Sequence, residues 1–138
     1  MAKPSTNKLV LNMEEVQWIQ RMVPRHAKYI ANRHANEPKK ITKRFANATE
    51  NFADKVATMQ MDEQPDGSFH FYSNRQDLRI LQKIVVAEHS ATLTTIIPGY
   101  VEKMVNDDAR YRPYYEEALA RAEMLLKLVN QLSARLSP

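Results

Sequence analysis

The most distinctive chemistry-bearing cluster in the sequence is Arg110-Tyr111-Arg112-Pro113-Tyr114-Tyr115. Alternating guanidinium and phenol groups just ahead of a helix can clamp phosphates and stack on bases. The same two residue types dominate the hot spots of protein interfaces. The plainer use is structural, with Tyr111 and Tyr115 packed under the start of a helix and the arginines solvated. The second concentration is cationic. From Arg21 to Arg44 there are eight basic residues, Arg21, Arg25, Lys28, Arg33, Lys39, Lys40, Lys43 and Arg44, against one acid, Glu37, and His26 and His34 fall in the same stretch. Residues 1–44 carry ten Lys/Arg and three Asp/Glu, whereas residues 45–138 carry ten and thirteen, so the net charge of +4 is the difference between a +7 part and a −3 part. Such asymmetry sets up a local positive field that draws in an anionic partner, nucleic acid or an acidic protein, unless it is only a solvated helical face.

Other chemistry is excluded by counting. There is no cysteine, which removes disulfides, thiolate metal sites and cysteine nucleophiles and fits a reducing cytoplasm. The histidines are His26, His34, His70 and His89; no two are four apart, so no pair shares one helical face as metal ligands would. Only Gly67 and Gly99 are glycines, too few for a phosphate-cradling loop or a nucleophile elbow. The acidic pairs Glu14-Glu15, Asp107-Asp108 and Glu116-Glu117 sit where helix starts or turns favour them. The expectation is a protein that is not an enzyme and holds neither metal nor cofactor.

The elements that must position the cationic and aromatic groups can be read from spacing. Residues 1–7 are polar, without an apolar leader segment, and read as a loose tail. Lys8–Leu11 is a strand. Asn12 then caps a helix, with Glu15 completing a capping box and Leu11 and Val16 in the staple positions. The stripe Val16, Ile19, Val23, Ala27, Ile30 is its core face, Pro24 should kink it, and Trp18 stands at the edge of the stripe. A second helix is expected to open at Pro38, with stripe Ile41, Phe45, Ala48, Phe52, Val56, Met59. Gln64-Pro65-Asp66-Gly67-Ser68 is a turn, and residues 68–72 are strand-like, with 58–62 as a hairpin partner or as the end of the preceding helix. Asn74 caps a third helix through Leu78, Leu81 and Ile84/Val85 and more loosely to Ile96 and Ile97, where β-branched residues crowd and Pro98-Gly99 breaks or kinks the run. Pro113 is expected to start the last helix, whose wide stripe runs from Tyr115 through Ala118/Leu119, Ala122, Leu125/Leu126 and Val129 to Leu132 and Leu136.

The chain of 138 residues, 43% hydrophobic and 26% charged, therefore reads as one α-rich domain over 8–138: mainly α with minor β, four amphipathic helices and two or three short strands. Its longest apolar runs are three or four residues, far short of the roughly 20 needed to span a membrane. Residues 8–23 and 70–85 align without a gap at an offset of 62, with Asn12/Asn74, Gln20/Gln82 and Val23/Val85 identical. Either the chain is a pseudo-twofold duplication of a strand–helix–helix unit (8–61 and 69–136), or the same capping physics has selected the same residues twice; in a duplication the two strands would pair with each other. The functional expectation is a cytoplasmic regulatory protein that binds nucleic acid electrostatically. The segment Arg21–Arg44 carries the binding, joined by Arg110, Tyr111, Arg112 and Tyr114. The alternative is a homodimeric protein-binding adaptor or inhibitor acting through a helical face and residues 110–115.

Overall fold

The computed structural model describes residues 8–58 and 62–137, so the tail at 1–7 and the stripe position Met59 lie outside the described residues. The protein is mainly helical with a small antiparallel sheet, in the order β1 (Lys8–Leu11), α1 (Met13–Asn36), α2 (Lys43–Thr58), β2 (Asp62–Glu63), β3 (Phe69–Tyr72), α3 (Arg75–Ala91), a π-helical segment (Thr92–Ile96), α4 (Ile97–Asn106) and α5 (Asp108–Leu136). α3, the π segment and α4 are continuous in sequence, so the five α-helices form the four expected helical stretches. None of the described helices is long and apolar enough to cross a membrane.

The described chain forms two compact units. The first takes in the chain up to Leu81 together with the residues from Arg135 onward; the second is Gln82–Ala134. In the first, the sheet has strand order β1-β3-β2. Period-2 alternation sends Leu9, Leu11, Phe69 and Phe71 into the core while Val10 and Tyr72 stay exposed. The register pairs Leu11 with Phe69 and Leu9 with Phe71, stacking the apolar pairs on one face. The local twofold of this antiparallel ladder passes through Leu9 and Phe71, the two residues that the 62-residue offset equates. β2 joins β3 through the expected turn: Gly67 N–H donates to Gln64 O at 2.9 Å, Ser68 N–H and hydroxyl both donate to Asp66 Oδ1, and Gly67 takes a φ of 86° that only glycine adopts cheaply. Those two donors hold the Asp66 carboxyl below the usual range.

α1 begins with the full capping box: Glu15 N–H donates to Asn12 Oδ1 at 2.8 Å and Asn12 N–H donates to Glu15 Oε1 at 2.9 Å. The asparagine half of this cap recurs at α3, where Asp77 N–H donates to Asn74 Oδ1 at 2.8 Å. The stripe Val16, Ile19, Val23, Ala27, Ile30 is buried, and Trp18, expected at its edge, is buried with it; α1 is continuous through Pro24. Leu78, Ile80 and Leu81 are buried in the first turns of α3. Arg135 Nε donates to Lys8 O at 2.7 Å and Arg75 donates to Leu136 O, tying the last residues of the chain to β1 and to the start of α3.

The second helix differs from expectation. Pro38 does not open it: residues 38–40 form a turn, and α2 starts at Lys43, where Thr42 Oγ1 accepts from Phe45 N–H at 3.1 Å. A hydroxyl cap satisfies a backbone donor, which proline at the first position cannot do. Its core face is Ala46, Thr49, Phe52, Ala53 and Val56, turned away from the expected Ile41, Phe45 and Ala48, which are half-buried. Thr49 sits in the core without penalty because its hydroxyl donates to Phe45 O at 2.9 Å.

In the second unit Ile84, Val85, Thr92, Ala118, Ala122, Met124, Leu125, Leu128 and Leu132 are buried, while Leu93, Ile96, Leu119 and Leu126 are exposed. Thr92 and Thr94 donate their hydroxyls back to Glu88 O and Ser90 O, and Pro98 lacks an N–H and crowds the carbonyl four residues before it. The backbone answers by widening into the π segment, with Ile97 N–H donating to Thr92 O. The helix then carries on through Pro98 and Gly99. α5 starts at Asp108 rather than Pro113, because Asp107 Oδ1 accepts from Arg110 N–H at 3.2 Å and caps the earlier turn.

Candidate nucleic-acid interface

The eight cations of the basic segment fall into three groups. Arg21, Arg25 and Lys28, spaced four and three apart, form one exposed line on α1 opposite its core stripe. Arg33 and Lys40 are held by the single acid. Glu37, at the C-cap of α1, takes Arg33 at 3.1 Å and Lys40 at 3.3 Å, and Arg33 also donates to the Tyr29 hydroxyl and stands over its ring. Hydrogen bonds to Glu37 and Tyr29 push the Arg33 guanidinium above its ordinary value. Lys39, Lys43 and Arg44, at the turn and the start of α2, are exposed. No ion pair joins these six cations outside Glu37's reach to any described residue. His26 is half-buried, and desolvation lowers its pKa, so it adds little positive charge near neutrality.

The surface of α2 divides lengthwise. One edge carries Glu50 and Asp54, which share with Pro24, Lys28 and four alanines (Ala27, Ala31, Ala53, Ala57) a groove of about 300 Å³ along α1. Two carboxylates beside Lys28 weaken the positive field on that side. The other edge carries Arg44, Asn47, Asn51 and Lys55. These line a groove of about 580 Å³ with Ala48, with Asn74 at the cap of α3, and with Gln76 and Asp77 of its first turn. Lys55 Nζ lies 2.8 Å from Asp77 Oδ2, which also accepts from the Ser73 hydroxyl at 2.9 Å, so the one carboxylate lining this groove among the described residues is already neutralised. An anion approaching the molecule meets less opposition here than on the α1 edge.

The run of basic residues in the sequence points to Arg44 but not to Asn47, Asn51, Lys55 or Gln76, which the structure places beside it. The signal was present: Asn47, Asn51 and Lys55 recur every four residues on the polar face of a helix. Uncharged carboxamides simply do not register in a count of charge.

In the second unit, Arg110, Tyr111, Arg112 and Tyr114 lie within the opening turns of α5 rather than ahead of it, so they point around the helix instead of forming one clamp. Arg112 is spent on Asp108 through two hydrogen bonds of 2.9 and 2.8 Å, which hold the Asp108 carboxyl low. Arg110 stands over the Tyr111 ring, Lys103 over both Tyr111 and Tyr100, and Tyr100 and Tyr114 stack with centroids 6.0 Å apart. The aromatic rings are thus already engaged with one another and with cations of the same unit. No family model, curated protein or solved structure matches the chain.

Proposed function

We propose that this protein is a non-enzymatic, cytoplasmic nucleic-acid-binding protein of regulatory type that grips the phosphate backbone electrostatically through the Arg21–Arg44 segment. The observation that carries the reading is that six exposed cations, Arg21, Arg25, Lys28, Lys39, Lys43 and Arg44, are left without an ionic partner among the described residues. Exposed cations with no acid to answer them are the footprint that phosphate recognition requires. Changing Lys39, Lys40, Lys43 and Arg44 together to Glu tests it. These positions lie off the core face, so circular dichroism should be unchanged. Binding of a labelled duplex, followed by anisotropy at about 0.1 M salt, should vanish. Binding that survives the change overturns the reading.

A second reading has an observation of its own. α4 buries none of its residues, and Val101 and Val105 are 47% and 82% exposed. Exposed apolar residues on one helix favour the protein-adaptor reading, with a second copy of the chain as the simplest partner. A concentration-dependent sedimentation shift that Val101→Asp and Val105→Asp abolish would support it.

A further inference from the structure

We propose that the groove between α2 and the first turn of α3 is a base-reading subsite that takes the major-groove-side edge of adenine, with Asn47 and Asn51 as the reading residues and Arg44 holding a neighbouring phosphate. This rests on the nucleic-acid reading above and adds a specificity that the charge alone would not give.

Asn47 and Asn51 are exposed, in the middle of α2, and neither makes a side-chain hydrogen bond to a described residue. Asparagine is a poor residue for a helix interior, because its side chain competes for the backbone and favours caps and turns. Asn12 and Asn74 show what the residue contributes locally, each accepting the N3 amide of a helix. Asn47 and Asn51 cap no helix and make no such local bond. Their value is to something outside the fold.

The chemistry of a carboxamide says what that is. It presents a donor and an acceptor side by side, matching adenine, where N7 accepts and the N6 amino group donates. Asn Nδ2 donates to N7 while Oδ1 accepts from N6. The two asparagines are one turn apart, about 6 Å along the helix axis, which approaches the roughly 6.8 Å that separates bases two steps apart in a strand. Arg44, one turn before Asn47 on the same edge, supplies the cation for a flanking phosphate. Gln76, across the groove on α3, adds a third carboxamide without an internal partner. With Asp77 neutralised by Lys55, no unpaired carboxylate among the described lining residues faces the incoming strand.

The test uses adenine-bearing oligonucleotides against versions with 7-deazaadenine at the same positions, which keep charge and base pairing and lose only the N7 acceptor. Both are offered as single strands and as duplexes, since the edge is open in either. The intact protein should bind the adenine form roughly tenfold more tightly in at least one of the two settings. Asn47→Ala with Asn51→Ala should erase that preference while leaving the salt dependence unchanged, and alanine favours the helix, so the variant should fold. Equal affinity for the adenine and deaza forms, with salt-dependent binding intact, overturns the subsite and leaves the electrostatic reading standing. A preference that persists in the double variant also overturns it. No binding of either form at about 50 mM salt removes both.

Discussion

At the scale of single residues, burial decides which substitutions matter. Phe52 is fully buried and Phe45, one of its presumed stripe partners, is only half-buried. Phe52→Ala should therefore cost about 3–5 kcal/mol, transfer plus cavity, and Phe45→Ala clearly less; urea unfolding of the two variants checks the order. The sequence pattern placed both on one face because their spacing of seven fits a helical stripe. What the pattern could not contain is Thr49, a polar residue whose hydroxyl is satisfied inside the helix and so can turn inward. His26, on α1, is half-buried. Burial lowers its pKa from 6.5, so the folded state prefers the neutral ring. Below that value the unfolded chain binds a proton that the folded chain resists, so stability is full above about pH 6.5 and falls as the pH drops through it. The thermal midpoint should decline on acidification across this range, and His26→Gln should flatten the decline. A midpoint that rises on acidification would reverse the assigned sign.

At the scale of elements, caps were the most legible feature and prolines the least. Asn12 and Asn74 open α1 and α3 as their side-chain chemistry dictates, and alanine at either should cost about 1 kcal/mol by removing the acceptor of the Glu15 or Asp77 amide, while the backbone N–H of residue 12 keeps its bond to the Glu15 carboxylate. Equilibrium denaturation resolves that loss. Pro38 and Pro113 suit the first turn of a helix, because proline tolerates that position. Thr42 and Asp107 outcompete them by supplying an acceptor to an orphan amide, moving one helix start five residues later and the other five earlier. The β-branched run at 92–97 was legible as trouble for a helix but not as its solution. A π segment lets Thr92 and Thr94 back-bond and gives Pro98 room without ending the helix. The candidate site was half legible for a related reason: charge can be counted along a chain, whereas the division of α2 into an acidic and a carboxamide edge depends on which residues face α1 and which face α3.

At the scale of the molecule, the question is how many cations can engage one polyanion at once. The formal charge of +4 understates the field, because the acids are concentrated after residue 44. The eight basic residues overstate it, because Glu37 holds two of them. The remaining six stand as two sets of three: Arg21, Arg25 and Lys28 along α1, and Lys39, Lys43 and Arg44 at the turn and the head of α2. Each neutralised phosphate contributes about −0.9 to the slope of log K against log salt on duplex DNA, so one set alone predicts a slope near −3 and both together one near −5. Glu50 and Asp54 share the groove with Lys28 and lower the potential on that side, whereas Asp77, which lines the groove that holds Arg44, is paired with Lys55. The α2 set should therefore dominate. Anisotropy titrations from about 50 to 200 mM salt should give a slope near −3 and a loss of affinity of roughly 40- to 100-fold. Reversing Lys39, Lys43 and Arg44 to Glu should remove most of the slope, and reversing Arg21, Arg25 and Lys28 should leave most of it. The opposite ranking would overturn the reading, as would a slope near zero in the parent protein, because burial of apolar surface against a protein partner is barely screened by salt.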